Sequence, residues 1–116
     1  MGLTIITLNA YQDLAAQTAN FGDKGIIYPA LGLAGEAGEA VDKIKKLWRN
    51  KDIKYGKDYS DDERLALVKE LGDVLWYLAA IAGELDTSLQ EVAERNIEKL
   101  LDRKERNVIK SEGDNR

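Results

Sequence analysis

Apolar residues recur every three or four positions through most of the chain, which is the spacing of helices with one buried face. This spacing predicts four helices, at about residues 8–20, 29–49, 60–85 and 89–106. A polar segment at residues 50–59 is predicted to be a loop. Four amphipathic helices joined by mostly short connections most simply form an antiparallel bundle, so we expect an all-α, four-helix-bundle-like fold.

Residues that start helices stand at the beginnings of these segments. Thr7 precedes the first segment and can cap it, and Pro29 suits the first turn of the second. Ser60 followed by Glu63 has the spacing of a capping box, in which each side chain binds the backbone N–H of the other residue. The same spacing recurs after Ser88, at the start of the fourth segment.

The composition of the chain excludes several kinds of catalytic and metal-binding site. It contains no cysteine and no histidine, which excludes thiolate zinc sites, disulfides, cysteine nucleophiles and histidine bases. A formal charge of −4 argues against binding to a nucleic acid polymer. The longest apolar run, residues 74–82, is too short to span a membrane, and we recognise no signal peptide. We expect one cytoplasmic domain over residues 1–116, with 107–116 as a charged tail.

Two acidic pairs are the candidates for chemistry. Glu36 and Glu39 in the second helix, like Glu70 and Asp73 in the third, lie three residues apart and therefore share a helical face. Like charges this close repel each other unless a cation lies between them. Carboxylates without nitrogen or sulfur donors suit a hard cation such as Mg²⁺, for which Mn²⁺ can substitute.

Three glycines lie inside helices beside these acids, namely Gly35, Gly38 and Gly72. Each costs about 1 kcal/mol relative to alanine, so a compensating gain is expected. Their missing side chains would let another helix, or a bulky ligand such as a phosphate chain, approach the backbone. The alternative is that the acids lie on a solvated face and pair with lysines of their own helix, Glu39 with Lys43 and Asp42 with Lys46.

Other candidates for substrate binding lie outside the acidic pairs. Asn96, Lys99 and Arg103 align along the fourth helix, where the two cations could neutralise phosphate oxygens. Taken alone, this alignment is better explained as an ordinary surface stripe. Trp48 and Tyr77 could border or stack on a nucleobase, or could belong to the core.

The chain resembles the MazG-type all-α nucleoside triphosphate pyrophosphohydrolases from about residue 10 to residue 106. The resemblance rests on three segments: Leu31-Gly-Leu-Ala-Gly-Glu-Ala-Gly-Glu39, Lys69-Glu-Leu-Gly-Asp-Val-Leu-Trp-Tyr77 and Asn96-Ile-Glu-Lys-Leu-Leu-Asp-Arg103. It implies a homodimer or homotetramer that completes the bundle. The thirty residues between Glu39 and Glu70 exceed the family's usual spacer, the excess falling at 50–59, so no base preference is inferred.

The resemblance also implies roles for the candidate residues. Metal binding is implied for Glu36, Glu39, Glu70 and Asp73. Phosphate contacts are implied for Lys99 and Arg103, and a place in the pocket for Asn96. With the aromatic and lysine candidates, the predicted substrate-binding set is Lys99, Arg103, Asn96, Tyr77, Trp48 and Lys43.

We therefore predict Mg²⁺-dependent hydrolysis of a nucleoside triphosphate at its α-phosphorus, with Glu36 or Glu39 accepting the proton of the attacking water. The alternatives are a non-catalytic helical protein-interaction module and, ranked last, a di-iron bundle, whose usual motif needs histidine. The terminal Gly-Asp-Asn-Arg at 113–116 resembles the ends of some small relatives and could fold over the site, although a frayed tail is the commoner outcome.

Overall fold

The computed structural model describes Gly2, Thr4 and residues 7–106, so the predicted tail at 107–116 lies outside the described residues. Four helices and one short 3-10 turn follow each other along the chain: α1 (Leu8–Ala16), α2 (Ile27–Lys51), the turn Gly56–Asp58, α3 (Asp61–Glu84) and α4 (Leu89–Glu105). No strand occurs in this part of the chain, which confirms the all-α prediction. Among its helices, none combines the length and the apolar content that crossing a membrane requires.

Three of the four helices begin with the predicted side-chain caps. The Thr7 hydroxyl accepts the Ala10 N–H at 3.0 Å in α1. At α3 the capping box is complete, because Ser60 Oγ accepts the Glu63 N–H at 3.1 Å and Glu63 Oε1 accepts the Ser60 N–H at 2.9 Å. The Ser88 hydroxyl likewise accepts a backbone N–H in the first turn of α4, at 3.1 Å. Each of these bonds satisfies a donor that a helix start otherwise leaves unpaired.

Helix α1 ends earlier than predicted, at Ala16 rather than at residue 20. The Thr18 hydroxyl donates to the Ala15 carbonyl at 2.7 Å and accepts the Trp76 indole N–H from α3 at 2.8 Å. A hydrogen bond to a distant helix therefore holds the chain where α1 could have continued. The chain then turns towards α2 through Gly22 and Gly25, whose φ angles of 67° and 61° favour glycine.

Helices α2 and α3 pack against each other along their length, while α1 packs on α3 and α4, and α4 also contacts α3. The buried apolar residues of the core are mostly small: they are Ala15, Ala40, Ala79, Ala82 and Leu89. The Gln12 amide joins three elements, because it donates to the Ala79 and Thr87 carbonyls and accepts the Leu89 N–H at 2.9 Å. This polar contact was not predicted from the sequence.

Most of the larger apolar side chains of α2 and α3 lie outside this small core. Val41 is 62% exposed, Trp48 is 55% exposed and Leu71 is 53% exposed. The helices of a single chain bury mainly alanines at their contacts, so the larger apolar side chains remain accessible. The architecture is therefore all-helical with an antiparallel α2–α3 pair, and much of its apolar surface is available for contacts with another molecule.

Candidate metal centre

Contacts along α2 and α3 define how the acidic pairs face each other. The two helices run antiparallel, because Lys51 near the end of α2 pairs with Glu63 near the start of α3 at 2.7 Å. At the opposite end of the pair, the backbone of Gly32 lies directly against the Tyr77 ring, where any Cβ would overlap the ring. This register brings the acidic segment of α2 opposite that of α3.

Three of the four predicted metal ligands converge. Glu36, Glu70 and Asp73 each provide a carboxylate oxygen, and these oxygens lie within 4.8 Å of one another. Glu36 and Glu70 are half-buried and Asp73 is exposed, so the group is accessible from one side. The two helices thus supply an oxygen-only donor set of the kind that hard divalent cations prefer.

Two oxygens of this group lack any hydrogen-bond partner among the described residues. Glu36 Oε2 and Glu70 Oε2 are both buried and unpaired. An unpaired buried carboxylate oxygen is costly, because it has lost water without gaining a partner. A divalent cation would satisfy both oxygens, so the residues present fit such an ion.

The pKa of Glu36 is also consistent with a cation site. Burial raises the pKa of the Glu36 carboxyl, and the charge and hydrogen bond of Glu39 raise it further, followed by the charges of Asp73 and Glu70. Crowded carboxylates therefore disfavour the ionised form of Glu36 when no cation is present. A bound divalent cation would reverse this effect by favouring the charged form.

Glu39 lies beside the three converging carboxylates rather than among them. It is exposed and lines a groove of ≈ 500 Å³ together with Gly35 and Gly38. A Cβ added at Gly35, Gly38 or Gly72 would meet nothing within 4 Å. No helix of the described chain therefore uses the space at these glycines, which leaves room for a ligand or another molecule.

The lysines of α2 pair only in part as the solvated-face alternative predicts. Lys43 lies 3.8 Å from Glu70 of α3, rather than forming an ion pair with Glu39 of its own helix. Asp42 binds Lys46 at 2.8 Å, which is the second pair that this alternative predicts, and it also binds Lys45 at 3.2 Å; these bonds lower the pKa of Asp42. Lys43 therefore contacts the acidic centre directly.

Two tyrosines border the acidic centre. Burial raises the pKa of Tyr77, and the charges of Tyr28, Glu36 and Asp73 raise it further. Burial, followed by the charge of Asp73, also raises the pKa of Tyr11 on α1. Both phenols therefore remain protonated at neutral pH and can donate hydrogen bonds. Tyr77 was among the site residues predicted from the sequence, whereas Tyr11 was not.

An aromatic cluster continues from Tyr77 towards the start of α2. Trp76 packs edge-on against Tyr77 at 4.9 Å and against Phe21 at 5.9 Å, and Phe21 stacks on Tyr28 at 4.8 Å between ring centroids. A cavity of ≈ 290 Å³ lies beside Trp76 and Phe21, between α1 and α3. Trp48, the other predicted aromatic candidate, lies exposed near the opposite end of α2.

The candidates on α4 are not joined to the acidic centre by any described ion pair or hydrogen bond. Asn96 and Lys99 are exposed, and Arg103 is half-buried with its Nε unpaired. The described ion pairs of α4 join residues of that helix or its C-cap to each other, as between Arg95 and Glu91. The structure therefore places Lys43 and Tyr77 beside the acids, whereas no described ion pair or hydrogen bond links the three α4 candidates to them.

The fold and this site define a helical protein with a carboxylate-only candidate centre for a divalent cation. Residues 29–108, which include the acidic pairs and all of α4, match the family described as the MazG nucleotide pyrophosphohydrolase domain. The chain belongs to this family, whose members are hydrolases acting on nucleotide diphosphate linkages.

A phage protein is similar to the chain over nearly its whole length. The Gene 37 protein of Mycobacterium phage L5 is 44% identical over 116 residues, which cover 94% of this chain and 98% of the phage protein. Its name states no activity. No solved structure shows significant similarity to the chain.

Proposed function

We propose that the protein is a Mg²⁺-dependent nucleoside triphosphate pyrophosphohydrolase, which cleaves the substrate between its α- and β-phosphates to give the monophosphate and pyrophosphate. One observation carries the proposal: carboxylates from two helices of a MazG-family chain converge, and two of their buried oxygens have no partner. Ribonucleoside and deoxyribonucleoside triphosphates both fit this chemistry.

Glu36, Glu70 and Asp73 would hold the cation, for which Mn²⁺ could substitute. When bound, Mg²⁺ would neutralise phosphate oxygens and stabilise the charge that develops as the α–β bond breaks. Glu39 is exposed beside these ligands and would accept the proton of the water that attacks the α-phosphorus. Glu36 is the alternative base, but its unpaired buried oxygen favours a role as a ligand.

Tyr77 and the neighbouring aromatic side chains would border the nucleoside. The Tyr77 phenol stays protonated, so it could donate a hydrogen bond to the sugar or to a phosphate oxygen. The proposed phosphate contacts of Lys99 and Arg103, and the pocket role of Asn96, rest on the family resemblance alone. The exposed apolar side chains of α2 and α3 support a homodimer or homotetramer.

Product analysis in ¹⁸O-labelled water tests the proposed cleavage. Purified protein with Mg²⁺ should convert a deoxynucleoside triphosphate to monophosphate and pyrophosphate, with the label in the monophosphate because water attacks the α-phosphorus. Glu39→Gln should abolish turnover without lowering the melting temperature. Glu98→Gln, an exposed change on α4, is the matched control and should retain activity. Release of orthophosphate, or label in pyrophosphate, would contradict the proposal.

A helical protein-interaction module is the second candidate, favoured by the large exposed apolar side chains. Thermal melts separate it from the enzyme. Ligand binding to the native state raises the melting temperature, so the enzyme should be stabilised by Mg²⁺ together with a nucleotide. An interaction module without a nucleotide site would melt at the same temperature with and without these ligands.

A further inference from the structure

A groove between α3 and the loop that precedes it is lined by apolar and cationic side chains. It has a volume of ≈ 460 Å³ and lies beside the turn Gly56–Asp58. Besides Gly56, its lining residues are Lys57, Tyr59, Arg64, Leu67, Val68 and Leu71. Val68 and Leu71 are each more than half exposed, so the apolar floor of this groove is open to solvent.

Both charged residues of this lining are cations, which gives it a formal charge of +2. Arg64 donates to the Tyr59 carbonyl at 3.3 Å, which ties its guanidinium to the loop side of the groove. Among the described ion pairs, none includes Lys57 or Arg64. Three acids near these cations in the sequence are exposed and do not line the groove, namely Asp58, Asp61 and Asp62. This basic groove therefore suits a partner that is both apolar and acidic.

Helix α4 carries a surface of the opposite charge. A shallow depression of ≈ 390 Å³ is lined by residues three or four positions apart, which therefore share one helical face: Gln90, Ala93, Glu94, Ile97 and Glu98. The neutral Gln90 amide donates to Glu94 at 2.9 Å, and Glu98 lies 4.0 Å from Arg95 Nη1. Both carboxylates of this acidic stripe can therefore accept a closer cationic partner.

The acidic stripe lies on a helix that projects from the core. Leu89 at the start of α4 is buried, whereas every residue from Gln90 to Asp102 is exposed. Ile97 and Leu101 are each more than half exposed on this projecting part. A helix of 17 residues gains most of its stability from the packing of its apolar face, and α4 has little such packing within the described chain. Another molecule that buries this face would therefore stabilise α4.

We propose that α4 of one copy of the chain docks in the basic groove of a second copy. Ile97 lies on the apolar floor that includes Val68, and the acidic stripe faces the two cations of the groove. A second copy is the occupant because the chain itself supplies a helix that is apolar, acidic and largely unpacked. The inference does not rest on the proposed hydrolysis, because neither lining includes an acid of the candidate metal centre.

Two such contacts form a closed dimer. Each copy has one basic groove and one acidic stripe, so a twofold axis can pair the groove of each copy with the helix of the other. The apolar floor supplies the burial that drives association, and the opposite charges determine the orientation and the choice of partner.

Charge reversal on each surface tests the docking. One variant carries Lys57→Glu with Arg64→Glu, and the other carries Glu94→Lys with Glu98→Lys. Each variant alone places like charges in both contacts, so it should sediment as a monomer at micromolar concentration, where the wild type sediments as a dimer. An equimolar mixture should restore the dimer, because one contact of the mixed pair has both surfaces reversed and the other has both unchanged.

Lys24→Glu with Lys54→Glu is the matched control for the groove variant. Both lysines are exposed and lie outside the groove lining, and the two changes alter the net charge as much as the groove reversal does. This control should remain a dimer. A monomer here would assign the loss of association to net charge and would overturn the proposal. Melting curves check that every variant folds.

Disulfide trapping locates the contact without changing any charge. The chain has no cysteine, so Val68→Cys with Ile97→Cys introduces the only two thiols. Mild oxidation of this variant should give a covalent dimer on a denaturing gel. Val68→Cys with Lys24→Cys is the control and should run as a single chain.

Two further results would contradict the inference. A wild type that stays monomeric excludes a second copy as the occupant and leaves the basic groove for an acidic segment of another protein. A dimer that survives both charge reversals, and in which Val68→Cys and Ile97→Cys form no disulfide between copies, associates through another surface. Neither result bears on hydrolysis, which the release of pyrophosphate measures separately.

Discussion

Single glycines have different roles in the α2–α3 pair. Gly32 has no room for a side chain, because the Tyr77 ring lies against its backbone. Gly35, one turn away and close to the acidic centre, faces open space. The helix-interior glycines beside the acids were predicted to let another helix or a ligand approach the backbone. Within this chain, the glycine that a neighbouring helix approaches closely is Gly32. The Tyr77 ring that borders the candidate metal centre is positioned by this contact.

Alanine substitutions at these two glycines should have opposite effects on stability. Gly32→Ala should lower the free energy of unfolding by about 1–3 kcal/mol, because the new Cβ forces Tyr77 or the backbone to move. Gly35→Ala should raise it by about 0.5–1 kcal/mol, because alanine favours the helix and meets no neighbour. Urea unfolding of the metal-free protein measures both. Equal effects of the two changes would contradict the contact.

At the scale of the helix, the start of α3 is held by the capping box and by an ion pair to α2. Glu63 accepts the Ser60 N–H and also binds Lys51 of α2. The bond to Lys51, followed by that to Ser60, lowers the pKa of Glu63. One carboxylate thus stabilises both the local helix start and the junction between two helices.

The lowered pKa of Glu63 predicts a pH-dependent contribution to stability. Because the pKa is lower in the folded than in the unfolded chain, the contribution is present above the unfolded value and is lost as pH falls through the folded value. Glu63→Gln should therefore lower the melting temperature at neutral pH, and the difference from wild type should vanish in strongly acidic buffer. Melting curves across this pH range check the prediction. A constant difference at every pH would exclude the proposed linkage.

At the scale of the whole molecule, one chain leaves large apolar side chains exposed on several helices. Leu31 is 70% exposed on α2 and Leu85 is 63% exposed next to the end of α3, in addition to Val41 and Leu71. Exposed apolar surface of this extent typically marks an interaction site. A second copy of the chain could bury it, as the family resemblance implies.

Sedimentation velocity tests whether the chain associates with itself. The wild type should sediment as a dimer or tetramer at micromolar concentration, and Val41→Asp or Leu71→Asp should shift it towards the monomer, because burying an unpaired charge is costly. Asp62→Ser, at the exposed first turn of α3, is the control and should leave the association unchanged. A monomeric wild type would contradict the proposed oligomer.

The helices and the composition of the candidate site could be predicted from the sequence. Local periodicity and capping residues such as Ser60 determine where helices start, and the spacing of Glu36 and Glu39 determines that they share a face. The end of α1 could not be predicted this way, because the hydrogen bond between Thr18 and Trp76 joins positions 58 residues apart.

Which of the acidic side chains lie close together could be determined only from the tertiary structure. Periodicity places a residue on a face of its own helix, but it does not define the register between helices, which depends on contacts such as that of Gly32 with Tyr77. This register brings Glu70 and Asp73 to Glu36 and brings Lys43 to Glu70. The chemical nature of the centre was thus determined by the sequence, and its geometry by the packing of α2 against α3.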